Sequence, residues 1–212
     1  MFAAALLRSK AFVWIVLVLP GLWPAWPLFV RQDPSALTDP LKFILLHYGF
    51  VACVLLATVL TFSPLRVLFP RWDIALALNR HRRLVGVSSF AYALLHFSVQ
   101  VLYVYDGGFE TLAKEIRKPF QLTGLAALLI LLVLTITSVN ALIRRMGARR
   151  WKNLHRLVYV AALLAAYHQA DARKTFPLQV VWIFGPVLLL QIARVWKQRR
   201  GTPARAVPTP GA

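Results

Sequence analysis

Two apolar stretches decide the fold of this 212-residue chain: LVGVSSFAYALLHFSVQVLYVY at residues 84–105 and LHRLVYVAALLAAYHQA at residues 154–170. His96 lies in the second half of the first stretch, and His168 lies two residues before the end of the second. An ionisable side chain inside a lipid bilayer is costly, so it needs a partner or a function. Neutral imidazole is a strong ligand for haem iron, and two such histidines on separate segments therefore indicate a metal shared between them.

The composition places both stretches in a membrane protein. Hydrophobic residues make up 59% of the chain and charged residues only 15%, with a mean hydropathy of +0.63, which excludes an ordinary soluble domain. A helix needs about 20 apolar residues to cross a bilayer. We therefore predict an all-α membrane protein whose six-helix bundle occupies residues 11–196, between an N-terminal segment at 1–10 and a disordered tail at 197–212. The six predicted spans are residues 11–30, 41–62, 84–105, 120–143, 154–170 and 178–196.

The net charge of +18 predicts the orientation of the bundle rather than nucleic-acid binding. The basic residues fall in short clusters between apolar stretches, and 18 of the 25 Lys and Arg residues lie on one side of the predicted membrane. Because cytoplasmic loops carry the excess of Lys and Arg, both termini are predicted to be cytoplasmic. These clusters are also expected to contact lipid headgroups.

His96 and His168 are predicted to lie at similar depth. His96 comes twelve residues after the start of the third span, and His168 comes fourteen after the start of the fifth. At about 1.5 Å per residue these depths agree to roughly 3 Å, which places the haem between helices 3 and 5. Cys53 is the single cysteine and no C-x-x-C-H sequence occurs, so the haem is expected to be of the non-covalent b type.

A second group of candidates lies nearer the predicted cytoplasmic side. Arg82 is fourteen residues before His96, which returns it to within about 40° of the same helix face. His155 is thirteen residues before His168, about 20 Å nearer the cytoplasm and about 140° away on a straight helix. His155 is a candidate haem-iron ligand, and the alternative is that it holds a haem propionate or a second cofactor, with His81 as a candidate partner. Arg82 suits a propionate or a flavin phosphate. For all these residues, and for His47, the alternative is a hydrogen bond to a neighbouring helix.

Three blocks of sequence resemble the MsrQ (YedZ) family, within the ferric-reductase-like transmembrane superfamily. They are RRLVG through LLH at residues 82–96, LTITSVNALIRRMGARR at 134–150, and WKNLHRLVY through YH at 151–168. The resemblance covers about residues 39–196. It implies that His96 and His168 are haem ligands and that His155 matches the family's third histidine. It departs at Arg82, where the related ferric reductases have the inner histidine of a second haem.

The resemblance also implies a function. It implies a subunit of the bacterial inner membrane that carries haem b, one or two per chain, and FMN, and that delivers electrons to a periplasmic molybdopterin-containing methionine-sulfoxide reductase. No G-x-G-x-x-G follows a strand pattern in these residues, so electrons are expected from membrane quinol or from a cytoplasmic flavin reductase. No catalytic residue is predicted, because the substrate chemistry belongs to the partner. Two alternatives are a quinol-oxidising cytochrome b subunit of another respiratory complex and a haem-free, proton-coupled transporter.

Overall fold

The computed structural model describes residues 6–105, 108–172 and 178–200, and these residues form helices joined by short connections, without any strand. The prediction of an all-α protein is confirmed for this part of the chain. A π-helical turn follows the first helix at Trp26–Val30. The α-helices are α1 (Lys10–Leu22), α2 (Pro34–Leu37), α3 (Pro40–Leu68), α4 (Asp73–Arg80), α5 (Arg82–Tyr105), α6 (Gly108–Ile116), α7 (Pro119–Ile136), α8 (Asn140–Leu154), α9 (Leu157–Ala172) and α10 (Leu178–Arg200).

Four of these helices, α3, α5, α7 and α10, are long and apolar enough to cross a membrane. The chain is therefore a multi-pass membrane protein. The first and fifth predicted spans correspond to shorter helices, since α1 has 13 residues and α9 has 16. A bundle of six spanning helices with two cytoplasmic termini stays a prediction.

The first predicted span, residues 11–30, does not form one continuous α-helix, because prolines interrupt it. Helix α1 ends at Leu22, and the chain turns before the π-helical segment. Pro24 and Pro27 have no backbone N–H to continue a helical ladder. The carbonyl of Pro20, whose helical donor would be residue 24, accepts instead from Nε2 of His47 at 2.7 Å.

The predicted fourth and fifth spans also have different ends. Helix α7 stops at Ile136 rather than continuing to residue 143, because the hydroxyls of Thr137 and Ser138 donate to carbonyls of its last turn and so compete with the backbone ladder. Helix α9 begins at Leu157 rather than at residue 154. His155 consequently lies in the turn between α8 and α9, outside the helix that carries His168.

The last helix is longer than predicted. Residues 197–200, assigned above to a disordered tail, continue α10 to Arg200. The guanidinium of Arg200 stacks 3.7 Å over the Trp196 ring, and Nζ of Lys197 donates to the Leu68 carbonyl of α3 at 2.9 Å. The rest of the predicted tail, residues 201–212, lies outside the described residues.

Two helix pairs position the histidines. The most extensive contacts in the bundle join α3 to α5 and α7 to α9, while α10 packs on α3. Small residues lie where the helices meet: Ser89 is fully buried and donates to the Ala52 carbonyl at 3.0 Å, and Ala161 is fully buried on α9. Such residues let membrane helices approach closely. His96 on α5 is thereby held against α3, and His168 on α9 against α7.

Candidate functional site

His96 contacts the backbone of the helix beside it. Its Nδ1 donates to the Leu45 carbonyl oxygen of α3 at 2.8 Å. A carbonyl can only accept, so Nδ1 carries the proton and the neutral ring keeps its lone pair on Nε2. This is the tautomer that binds a metal through Nε2, with the other ring nitrogen oriented by a hydrogen bond.

His168 repeats this arrangement on the second helix pair. Its Nδ1 donates to the Phe120 carbonyl oxygen of α7 at 2.6 Å. The Phe120 ring stacks on the imidazole, with centroids 5.9 Å apart and planes inclined by 25°. His168 therefore also has Nε2 available as its lone-pair nitrogen.

The structure brings the two imidazoles together. Their ring centroids are 6.0 Å apart, and the ring planes are inclined by 80°. In the part of the chain that the structure describes, neither Nε2 has a hydrogen-bond partner. A metal–imidazole bond is about 2 Å long, as for zinc, so one ion between two such rings separates their centroids by about 6 Å. The donor set and the spacing therefore fit a bis-histidine haem.

The cavity beside this pair, the outer cavity, is largely apolar and lies between α3, α5, α7 and α9. Leu56, Phe97 and Leu128 are among its lining residues. Polar side chains occur at one end, where Gln121 and Gln169 join Glu115 of α6. An apolar lining excludes water and suits the body of a porphyrin ring.

His155 does not join the outer pair, because it lies at a second cavity of about 670 Å³. The Thr137 hydroxyl donates to the Val133 carbonyl at 2.7 Å, so it accepts from His155 Nε2 at 3.3 Å. The Trp151 ring lies against His155 with centroids 4.0 Å apart and planes inclined by 32°, and its Nε1 donates to the Thr137 carbonyl at 3.0 Å. These contacts leave Nδ1 as the lone-pair nitrogen of a neutral His155.

Arg82 and His81 border this second cavity, which we call the inner cavity. It is also lined by Lys10, Arg80 and Arg83. Burial, and then the positive charge of Arg82, lower the pKa of the His155 imidazole. The Arg82 side chain is exposed, and one guanidinium nitrogen donates to the Ser63 hydroxyl at 3.0 Å. Guanidinium groups suit anionic cofactors, so the electrostatics of this cavity favour one.

The other two histidines, His81 and His47, have structural partners. His81 is 8% exposed, and its Nε2 donates to the Leu7 carbonyl at 2.8 Å, which ties the N-terminal segment to the bundle. His47 donates to Pro20, and its ring stacks on Trp23 at 5.0 Å. Both residues make the hydrogen bond that was the alternative to cofactor binding, and a cofactor-binding role for His81, which also lines the inner cavity, stays a prediction.

Comparison with known proteins identifies the family. The model for the family described as "Ferric reductase like transmembrane component" matches residues 41–166. A relative from Herminiimonas arsenicoxydans, named "Protein-methionine-sulfoxide reductase heme-binding subunit MsrQ", is 31% identical over 196 residues, covering 90% of this chain and 87% of that protein. A relative of the same name from Ralstonia nicotianae is 37% identical over 165 residues, with coverages of 74% and 69%. This chain belongs to the MsrQ family.

The match to the ferric-reductase-like family model and the site geometry complement each other. The matched region, residues 41–166, begins in α3 and contains His96, Arg82 and His155, but it ends two residues before His168. A further MsrQ relative, from Brucella anthropi, is 30% identical over 184 residues, covering 86% of this chain and 81% of that protein. Since the family region stops short of His168, the 6.0 Å approach of the two rings is what pairs it with His96.

Sequence reasoning missed the groups that orient the two histidines. The acceptors are the backbone carbonyls of Leu45 and Phe120, which no side-chain pattern reveals. Gly49 and Gly124 lie beside the rings. A glycine inside an apolar helix signals a close approach, but only the structure shows that the approaching group is an imidazole.

Proposed function

We propose that this chain is a transmembrane electron-transfer subunit of a methionine-sulfoxide reductase system, with one b-type haem held by His96 and His168. The observation that carries the proposal is the histidine pair, with ring centroids 6.0 Å apart and each Nδ1 bonded to a helix carbonyl. The MsrQ relatives are named as heme-binding subunits of such a system, and the chain covers 87% and 69% of the two described first.

The protein groups in the outer cavity have defined tasks. A bound haem would supply a one-electron carrier. His96 and His168 would hold it as neutral ligands whose orientation is fixed through Nδ1, and the apolar lining would keep water away. With both histidines bound to the iron, no ligand position would remain for a substrate. Reduction of methionine sulfoxide is therefore assigned to the partner, a periplasmic molybdopterin-containing enzyme.

The inner cavity is assigned to the electron-donating side. Arg82 and His155 are proposed to hold an anionic group, either FMN or a haem propionate, because positive charge and the aromatic ring of Trp151 meet there. His81 supports this cavity by anchoring the N-terminal segment. The donor is membrane quinol or a cytoplasmic flavin reductase. The basic clusters lie on the cytoplasmic side of a bacterial inner membrane.

The hydrogen bonds disfavour the alternative of a proton-coupled transporter. A histidine in a proton path must take up a proton on one nitrogen and release one from the other. Nδ1 of both His96 and His168 is bonded to a backbone carbonyl, which has no proton to give. This arrangement suits a fixed metal ligand better than a relay.

The test is a reduced-minus-oxidised visible spectrum of the detergent-purified chain, with haem and flavin quantified per chain. Wild type is expected to carry a b-type signal that His96→Ala and His168→Ala abolish. The matched control is His47→Gln, which removes a membrane histidine of α3 but keeps an N–H donor for the Pro20 carbonyl. A wild type without haem after expression with ample haem supply, or full haem in either alanine variant, would overturn the proposal.

A further inference from the structure

The same backbone arrangement occurs at both outer histidines. In each case the imidazole donates to the carbonyl of a helical residue, and a glycine occupies the position four residues later. His96 donates to Leu45, which precedes Gly49 by four residues, and His168 donates to Phe120, which precedes Gly124 by four. The two sites lie on different helix pairs, α3 with α5 and α7 with α9.

Helix geometry explains why the glycine is at that position. The carbonyl of residue i points along the helix towards the N–H of residue i+4. A side chain from a neighbouring helix that reaches this oxygen must therefore pass beside residue i+4, where a Cβ atom would stand. Glycine, which has no Cβ, allows the approach.

With the imidazoles in these positions, the space beside each glycine is too small for a Cβ atom. A Cβ built on Gly49 would lie 2.8 Å from Nδ1 and 3.0 Å from Cε1 of His96. A Cβ built on Gly124 would lie 2.7 Å and 2.8 Å from the corresponding atoms of His168. Real Cβ atoms essentially never approach other atoms within 3.0 Å. Neither glycine has a left-handed backbone, so the constraint on each is the imidazole.

A third instance shows that the requirement does not depend on histidine. The hydroxyl of Tyr92 donates to the Leu17 carbonyl of α1 at 2.7 Å, and a Cβ on Gly21, four residues after Leu17, would lie 2.9 Å from that hydroxyl. Tyr92 has no role in the proposed metal site. Gly21 is therefore a control matched in geometry to Gly49 and Gly124.

We infer that Gly49 and Gly124 are positioning residues for the two proposed haem ligands, each admitting one imidazole to a helix carbonyl so that Nδ1 is the donor and Nε2 stays free for iron. The inference rests on the proposed function. It extends the site by one residue on each of two helices that carry no ligand, so all four helices of the outer cavity shape the coordination.

The experiment compares Gly49→Ala and Gly124→Ala with wild type by haem content, by the spectrum of the reduced protein with and without CO, and by the midpoint potential. Wild type is expected to be six-coordinate and unreactive towards CO. Each alanine variant is expected to displace its histidine, lose low-spin signal and gain a CO-binding fraction absent from wild type. The Nδ1 hydrogen bond makes the ligand more basic. Its loss in an alanine variant makes the histidine a weaker electron donor to iron, so any haem that stays six-coordinate there is expected at a higher midpoint potential than in wild type.

Two glycine variants serve as controls. Gly21→Ala reproduces the crowding at Tyr92, and Gly185→Ala changes a membrane-helix glycine where the new Cβ has ordinary contact with Val181 at 3.8 Å. Both are expected to keep the wild-type spectrum. Equal loss of low-spin haem in Gly21→Ala and Gly49→Ala would attribute the effect to general helix packing and overturn the inference.

A compensating variant covers the case in which Gly49→Ala does not fold. If the clash is with the imidazole, Gly49→Ala/His96→Gly removes both partners and is expected to be recovered as a folded chain that becomes six-coordinate when free imidazole is added. Failure of this double variant, or unchanged CO-inert haem in both single alanine variants, overturns the inference. Absence of haem from wild type would instead overturn the proposed function.

Discussion

The outer and inner cavities both contain histidine, but they differ in which ring nitrogen the protein uses. At the outer cavity, Nδ1 of His96 and Nδ1 of His168 donate to carbonyls, so Nε2 is the free nitrogen. At the inner cavity, Nε2 of His155 bonds to Thr137 and Nε2 of His81 bonds to Leu7. Nε2 is the nitrogen farther from the backbone, so the outer histidines reach into their cavity while the inner ones are held to its wall.

The two cavities also differ in the polarity and charge of their linings. The outer cavity is largely apolar and lined mainly by four helices, whereas the inner cavity combines Arg80, Arg82 and Arg83 with an aromatic ring at Trp151. An apolar cavity with two neutral imidazoles suits a metal in a macrocycle, and a basic cavity suits an anion. Histidine count alone would not separate these two sites, but the bonded nitrogen and the neighbouring charge do.

The strongest test of this contrast is a charge reversal at the inner cavity. Arg82→Glu is expected to weaken FMN binding by about 100-fold, or about 2.7 kcal/mol, because attraction to the phosphate becomes repulsion. Titration of the purified chain with FMN, followed by quenching of flavin fluorescence, measures the change. Arg82→Gln, which removes the charge without reversing it, is expected to fall between wild type and Arg82→Glu.

The outer haem provides the internal reference for that variant. Arg82 touches neither His96 nor His168, so the b-type spectrum of Arg82→Glu is expected to match wild type. If the charge reversal removed the haem but left FMN affinity unchanged, Arg82 would belong to the outer site and the division into two cavities would be wrong.

Ionic strength should separate the cavities without any mutation. Raising the salt concentration from about 0.1 M to about 1 M shortens the Debye length from about 10 Å to about 3 Å. The affinity for FMN is expected to fall about tenfold, since the guanidinium of Arg82 is exposed to solvent ions. Haem content at the outer pair is expected to be unchanged, because neutral ligands in an apolar cavity are not screened. A salt-insensitive FMN affinity would show that charge does not drive binding there.

Hydropathy and helix geometry anticipated much of the fold and the outer pair. Segments 41–62, 84–105 and 178–196 lie within α3, α5 and α10, because an uninterrupted apolar run determines a membrane helix. The similar depth of His96 and His168 followed from a fixed rise per residue, and the structure places their rings side by side.

The remaining features depend on contacts between residues distant in sequence. Because the helix of His168 begins at Leu157, His155 lies outside it. The angle of about 140° between His155 and His168, calculated for one straight helix, therefore does not apply. The partners of His47 and His81 are backbone carbonyls in the N-terminal region. Hydropathy describes side chains along one helix, so it cannot show which carbonyl of another helix lies opposite a given imidazole.

The smallest expected effect is on thermal stability and concerns Trp151 in the wall of the inner cavity. Two variants distinguish the contribution of its ring from that of its N–H. Trp151→Phe keeps an aromatic ring against His155 but removes the hydrogen bond to the Thr137 carbonyl. The free energy of unfolding is therefore expected to fall by about 1 kcal/mol, and Tm by about 2–4 °C. Trp151→Ala also removes the ring beside His155, so a larger decrease in the free energy of unfolding is expected. Thermal unfolding in detergent, followed by circular dichroism, measures both, while haem absorbance reports the outer pair. Equal losses in the two variants would mean that the N–H alone fixes this wall, and a loss of outer haem in either would show that the two cavities are one cooperative unit.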